Sequence, residues 1–197
     1  MTPPAATATR VRRSRRQADL LDRLVALLVA EGFAHLTIED LATRLRCSKT
    51  TLYALAPSRQ ELVVEAVKHY FREATEDVEA RVARAEGPAE ELAAYLAAVA
   101  DRLRPLSREF VRDLGAFAPA GEVYAANTAA AADRLRSLIA AGVEAGAFRP
   151  VHAAFVGEMV AATMFEIQRG EVFARLRMSD AEAYEELSSV VLAALAP

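Results

Sequence analysis

Apolar residues recur along this chain at spacings of three and four, and no stretch alternates like a strand for more than a few residues. Leu20, Leu24, Leu27 and Leu28, with Leu21 and Val25 filling the stripe, predict a helix from about Ser14 to Glu31, and Gly32 stands where helices stop. Thr37 with Asp40 makes a capping pattern ahead of Ile38, Leu41, Ala42 and Leu45, so a second helix of about two turns is expected. A third, equally short, begins at the cap-like Ser48 and turns Leu52 and Leu55 inward. Ser58 with Glu61 repeats the capping pattern before Leu62, Val63, Ala66, Val67, Tyr70, Phe71 and Ala74, the start of a long helix expected to run to about Glu86, where Gly87-Pro88 breaks it. Beyond it, helices are expected at about 89–104, 106–117, 121–145, 152–174 and 180–195, divided by Pro105, Pro119, the segment "AGAFRP" and Met178-Ser179. The pattern is all-α, with about nine helices.

Composition narrows the class. A chain of 197 residues is long enough to bury a real core, and a hydrophobic fraction of 53%, much of it alanine, argues against disorder. No apolar run reaches the roughly 18 residues of a membrane span, and the basic start "MTPPAATATRVRRSRR" is not followed by a signal-peptide core. The single cysteine, Cys47, cannot form an internal disulfide, which fits a reducing cytoplasm. The net charge of −3 hides a split: through Arg72 there are 12 Lys and Arg against 7 Asp and Glu, and beyond it 12 against 20. A basic front on an acidic body points to a nucleic-acid-facing N-terminal part.

Two short helices around a tight turn, supported by a longer one, match the helix-turn-helix, whose second helix is polar because its partner is the DNA major groove. Lys49 supplies charge, Thr50 and Thr51 short hydroxyls, and Tyr53 a hydroxyl on a rigid stem, all near that helix's start. Thr37, Ser48 and Ser58 open helices, where backbone N–H groups hold phosphate oxygens; each also reads as a plain cap. The arginines at 10, 12, 13, 15 and 16 have two readings, a solvated tail or an arm in the minor groove; Arg13 and Arg15 are the candidates for contact.

The stretch "GFAHLTIEDLATRLRCSKTTLYALAPSRQELV" resembles the DNA-binding region of the TetR/AcrR family of bacterial transcriptional regulators, over about residues 15 to 72. The resemblance implies a dimer on a near-palindromic operator in double-stranded DNA, most simply as a repressor in the bacterial cytoplasm. It also implies a phosphate contact from Arg59 and a C-terminal helical domain that dimerises and binds a small effector. The expected organisation is a basic arm over 1–13, a helix-turn-helix domain over 14–57 with its supporting helix continuing to about 86, and an effector-binding and dimerisation domain over 87–197. Two departures stand out. Arg46 occupies the place of the family's turn glycine, so a tighter or differently capped turn is expected. Ala54-Leu55-Ala56 replaces an aromatic and histidine-bearing segment, leaving more of the readout to Lys49, Tyr53 and the arm.

In the C-terminal part, Phe110, Leu114, Phe117, Tyr124, Met159 and Phe165 are candidates to line an apolar effector pocket, with Tyr95, Asn127 and Gln168 as polar anchors; the same side chains also read as ordinary core. The apolar runs "AAFVGEMVAATMF" and "ELSSVVLAALA" are too wide for one solvent face, and a four-helix interface between subunits is expected from them, through Phe155, Val160, Met164, Leu187, Val191 and Leu195. His35, His69 and His152 have no ligand-like spacing, no Ser/His/Asp arrangement or glycine-rich phosphate loop is present, and neither cofactor, metal nor catalytic residue is expected. The alternatives are a DNA-binding regulator controlled by a partner protein without a small-molecule effector, and a helical interaction module or enzyme whose basic head is incidental.

Overall fold

The computed structural model describes residues 15–169 and 175–197, apart from the side chains of Gln168, Arg169 and Asp180. The regular elements among them are all helical: α1 (Arg15–Glu31), α2 (Ile38–Arg44), α3 (Lys49–Tyr53), α4 (Arg59–Val82), α5 (Pro88–Leu103), α6 (Arg108–Ala116), α7 (Ala118–Glu144), α8 (Ala153–Arg169) and α9 (Asp180–Leu195). The arm over 1–13 with Arg13, the side chain of Gln168, and the end of the helix expected over 152–174 lie outside the described residues.

The capping patterns form as read. Thr37 and Asp40 exchange side-chain and backbone hydrogen bonds in a complete capping box, and Ser48, Ser58 and Ser179 each accept a backbone N–H three residues on. Two boundaries differ from expectation. α4 ends at Val82, four residues before Glu86, in a short i,i+3 turn through Arg84 and Ala85. Pro119 does not separate helices: it sits in the first turn of α7, where its missing N–H has no helical partner to lose. Phe117 ends α6 and opens α7 at once.

Buried side chains form two clusters. The first joins Leu21, Leu24 and Leu28 of α1, Leu41 of α2, Leu52 of α3 and the first half of α4 to Phe110 and Leu114 of α6. The second joins Val78 and Val82 of α4 to α5, α7, α8 and α9 through Leu92, Leu96, Ile139, Val160 and Tyr184. α4 thus belongs to both. A fully buried valine, leucine or phenylalanine contributes about 1.5–3 kcal/mol, so α4 is anchored in its first half by Leu62, Val63, Val67 and Phe71 and in its second by Val78 and Val82, and the helix is held as one strut.

The segment "AGAFRP" closes α7 by ring packing together with backbone hydrogen bonds. Phe148 folds back over Gly142, where a Cβ would lie 2.1 Å from its ring, and the backbone N–H groups of Ala147 and Phe148 both return to the Gly142 carbonyl.

Candidate DNA-binding face and effector cavity

α3 stands on Leu52, which is 0% exposed, with Leu55 and Ala56 buried just after it. That anchor turns Lys49, Thr50, Thr51 and Tyr53 outward; Tyr53 is 45% exposed, unusual for a large aromatic. Lys49 pairs with Glu39 of α2, holding that carboxyl below the ordinary carboxylate range. Ser48 Oγ lies 2.8 Å from Thr51 Oγ1 and accepts the Thr51 N–H. Thr37 and Ser58 are caps at the starts of α2 and α4. Arg15 is exposed and shares a shallow groove with Arg16, Arg23, Cys47 and Thr51, so the first turn of α1 runs beside α3.

Arg46 corrects the expectation for the turn. The turn is not tightened: Arg46 itself takes the left-handed conformation, φ 51°, with its side chain exposed. A left-handed non-glycine residue costs about 1–2 kcal/mol, and here it leaves a guanidinium beside Ser48 and Lys49. Sequence reasoning takes Arg46 only as the turn residue and does not foresee that it lies on the same exposed face as Lys49.

Arg59 is also differently employed from the outward phosphate contact expected. Its Nε donates to the Leu36 carbonyl at 2.5 Å and its Nη2 to the Phe33 carbonyl, so the guanidinium faces the α1–α2 corner. From the other side Asp113 of α6 accepts the N–H groups of Phe33 at 2.6 Å and Ala34 at 2.8 Å. Gly32 makes this possible: its φ is +77°, and a Cβ there would lie 2.7 Å from Asp113 Oδ2. The Phe33 ring meets Phe110 and Phe117 edge-on, with centroids 5.9 and 6.1 Å apart.

His69, Asp22 and Glu73 converge in space despite their distance in sequence. His69 Nε2 lies 2.6 Å from Asp22 Oδ1 and 3.2 Å from Glu73 Oε1, and Nδ1 lies 2.6 Å from Arg72 Nη2. A guanidinium only donates, so Nδ1 accepts and Nε2 carries the proton toward the carboxylates. The cluster ties α1 to α4 with its imidazole lone pair already used. The Cys47 thiol, partly buried, is pushed up by desolvation, which disfavours the reactive thiolate.

The body contains a cavity of about 150 Å³ between α4, α5 and α7, continued by a chamber of about 70 Å³ toward α8. Of the expected lining residues, Tyr95 and Asn127 border both spaces, and Tyr124 and Phe165 border the smaller one. Phe110, Leu114 and Phe117 do not border either; they belong to the first core cluster, against Phe33. Met159 points outward and is 45% exposed. Sequence reasoning missed the α4 wall, Tyr70, Phe71, Ala74, Val78 and Glu79, because those residues continue the apolar stripe of the head without a break. At the solvent-facing edge of the cavity Arg134 binds Glu79 through two hydrogen bonds of 2.9 and 3.0 Å. The Tyr95 hydroxyl donates to the Ala131 carbonyl at 2.7 Å. Burial raises the phenols of Tyr95 and Tyr70, Tyr70 to about 12.

The expected interface residues divide. Phe155 is 67% exposed and Leu187 is partly buried, but Val160, Met164, Val191 and Leu195 face the second core cluster and are unavailable to a partner. The outward apolar side chains of α8 and α9 are instead Phe155, Met159 and Val190. No helix among the described residues is long and apolar enough to cross a membrane.

Residues 20–66 match the family model of bacterial regulatory proteins, tetR family. Solved structures share the whole fold. A TetR family transcriptional regulator, PfmR, from Thermus thermophilus is 21% identical, covering 90% of this chain and 99% of its own at a TM-score of 0.65. A putative transcriptional regulator from Saccharomonospora viridis, in complex with choline, is 15% identical over 94% of this chain and 100% of its own, at 0.77. AibR, in complex with isovaleryl coenzyme A and operator DNA, is 19% identical over 92% and 98%, at 0.64. No curated protein sequence matches the chain. The helix-turn-helix over residues 20–66 is thus matched by sequence to the tetR family of bacterial regulatory proteins, and the helical body is similar in fold to solved transcriptional regulators.

Proposed function

We propose that this protein is a ligand-responsive repressor that binds a near-palindromic operator as a homodimer in the bacterial cytoplasm and is released by a small, mostly apolar effector. The observation that carries the reading is α4: its first half is packed into the core that supports α3, and its second half walls the cavity. A ligand that binds two positions of this strut unequally shifts the spacing of the two reading heads. The organisation proposed is an arm over 1–13, a head over 14–57 with α4 as its support, and a body over 87–197.

On DNA, Lys49, Thr50, Thr51 and Tyr53 enter the major groove, with Thr37, Ser48 and Ser58 at phosphates beside them and Arg13 and Arg15 approaching from the arm. Dimerisation uses the outward face of α8 and α9, through Phe155, Met159 and Val190. Similar structures hold ligands and, in one case, operator DNA, which supports the reading without naming this protein's effector.

The test is DNA binding measured on a duplex selected from a random pool. Tyr53→Ala should weaken binding by about 1–3 kcal/mol with unfolding unchanged, and Glu39→Gln, which frees Lys49, should tighten it. Selection of no duplex, or salt-insensitive binding, would refute the reading.

A further inference from the structure

Among the described residues, one buried side-chain donor at the cavity has no partner. Arg102 of α5 borders the cavity, and its buried Nε has no hydrogen-bond partner. None of the ion pairs among the described residues includes its guanidinium, whose carbon lies 5.2 Å from the Tyr70 ring centroid. The Tyr70 hydroxyl donates to the Arg102 backbone carbonyl, so the aromatic ring and the arginine are fixed together.

Most other polar groups of the wall are already matched: Thr75 donates to the Phe71 carbonyl, and Asn127 stands beside them as a neutral amide. Glu79 and Arg134 satisfy one another in a bidentate pair, and Tyr95 donates to a carbonyl. In charge, what is left is a wall carrying two guanidinium groups against one carboxylate, with the neutral Thr75 and Asn127 and apolar side chains such as Val99, Leu103 and Ala74 making up most of the rest. A buried N–H without an acceptor is rare in a folded protein and marks an incomplete site. A guanidinium edge is matched in shape by a carboxylate.

We infer that the effector is a small organic anion, a carboxylate on an apolar body, with its head accepting from Arg102 and its hydrocarbon part filling the space toward Val99, Leu103 and Met164. This rests on the effector reading above and narrows it. The larger space is about the size that holds a benzene-like molecule, and the chamber beyond extends it. A quaternary ammonium is the wrong occupant, because the one carboxylate at the wall is already bound by Arg134.

Calorimetry on the full chain with three probes, hexanoate, hexan-1-ol and choline, tests this. Hexanoate should bind at least about tenfold more tightly than hexan-1-ol, the size of one charge-assisted hydrogen bond, and choline should not bind. Arg102→Met should bring hexanoate down to the level of the alcohol, and Arg102→Lys, which keeps charge but loses the planar edge, should fall between. Equal binding of acid and alcohol, binding of choline, no binding of hexanoate, or full hexanoate affinity in a folded Arg102→Met variant each overturns the assignment. Should Arg102→Met not fold, the wild-type comparison and Arg102→Lys decide. The effector reading fails separately: hexanoate that binds through Arg102 and leaves a selected duplex bound would refute release while leaving the anion site standing.

Discussion

Asp113 and Arg59 hold the same corner of the chain from opposite polarities. Asp113, on α6, takes the N–H groups of Phe33 and Ala34, while Arg59, at the start of α4, takes the carbonyls of Phe33 and Leu36. The corner leads directly into Thr37 and α2, so the orientation of the head is set by a carboxylate on α6 and a guanidinium on the strut. The body reaches the head through backbone hydrogen bonds as well as apolar packing.

Replacing Asp113 by alanine should therefore act on both stability and DNA binding. Two hydrogen bonds to a buried carboxylate are lost and the Phe33 N–H is left without an acceptor, so a loss of about 2–3 kcal/mol is expected in denaturant unfolding. Gly32→Ala should be comparably damaging, since its Cβ would collide with the same carboxylate at a positive φ. Unchanged unfolding midpoints in both variants would show the clamp to be idle.

Arg46→Gly tests the left-handed turn. Glycine removes a strain of about 1–2 kcal/mol but frees the unfolded chain by about 0.5–1 kcal/mol, so the variant should be between neutral and about 1.5 kcal/mol more stable. Arg46→Val, β-branched at φ 51°, should be clearly less stable. If DNA affinity also drops in Arg46→Gly while stability holds, the guanidinium beside Lys49 is a phosphate contact.

The outward and inward faces of α8 give opposite outcomes for neighbouring residues. Phe155→Asp and Met159→Asp should yield folded monomers in sedimentation, because both side chains lie outside the core. Val160→Asp should instead unfold the body, because it places a carboxylate where the side chain is 0% exposed. A dimer that survives both outward substitutions would move the interface elsewhere.

Alkaline stability should depend on Tyr70. An unfolded tyrosine ionises near about 10, whereas burial pushes Tyr70 up to about 12. The unfolded state thus loses its proton first, so this contribution is complete below about pH 10 and is lost as pH rises toward 12. Burial raises Tyr95 in the same direction. Urea midpoints should fall between pH 9.5 and 11.5, values on the order of the two ionisations, and fall less steeply in Tyr70→Phe.

Local rules were enough to read the head from the chain. Capping pairs such as Thr37 with Asp40 and Ser58 with Glu61, and the inward placement of Leu52 and Leu55, depend on residues three or four apart, and sequence determined them along with the helical class and the outward polar face of α3. Tertiary structure decided which way the amphipathic helices of the body turn. α8 is apolar on both sides, Val156, Val160 and Ile167 on one and Phe155 and Met159 on the other, so spacing gave the helix without its inner face, and Val160 and Met159 exchanged the places expected of them. Arg59 is the polar counterpart. Its role as an inward clamp depends on carbonyls 23 to 26 residues away, left open by the α1–α2 corner. The cavity wall at Arg102 likewise exists only because α4, α5 and α7 meet there, and a missing hydrogen bond leaves no trace in a linear sequence.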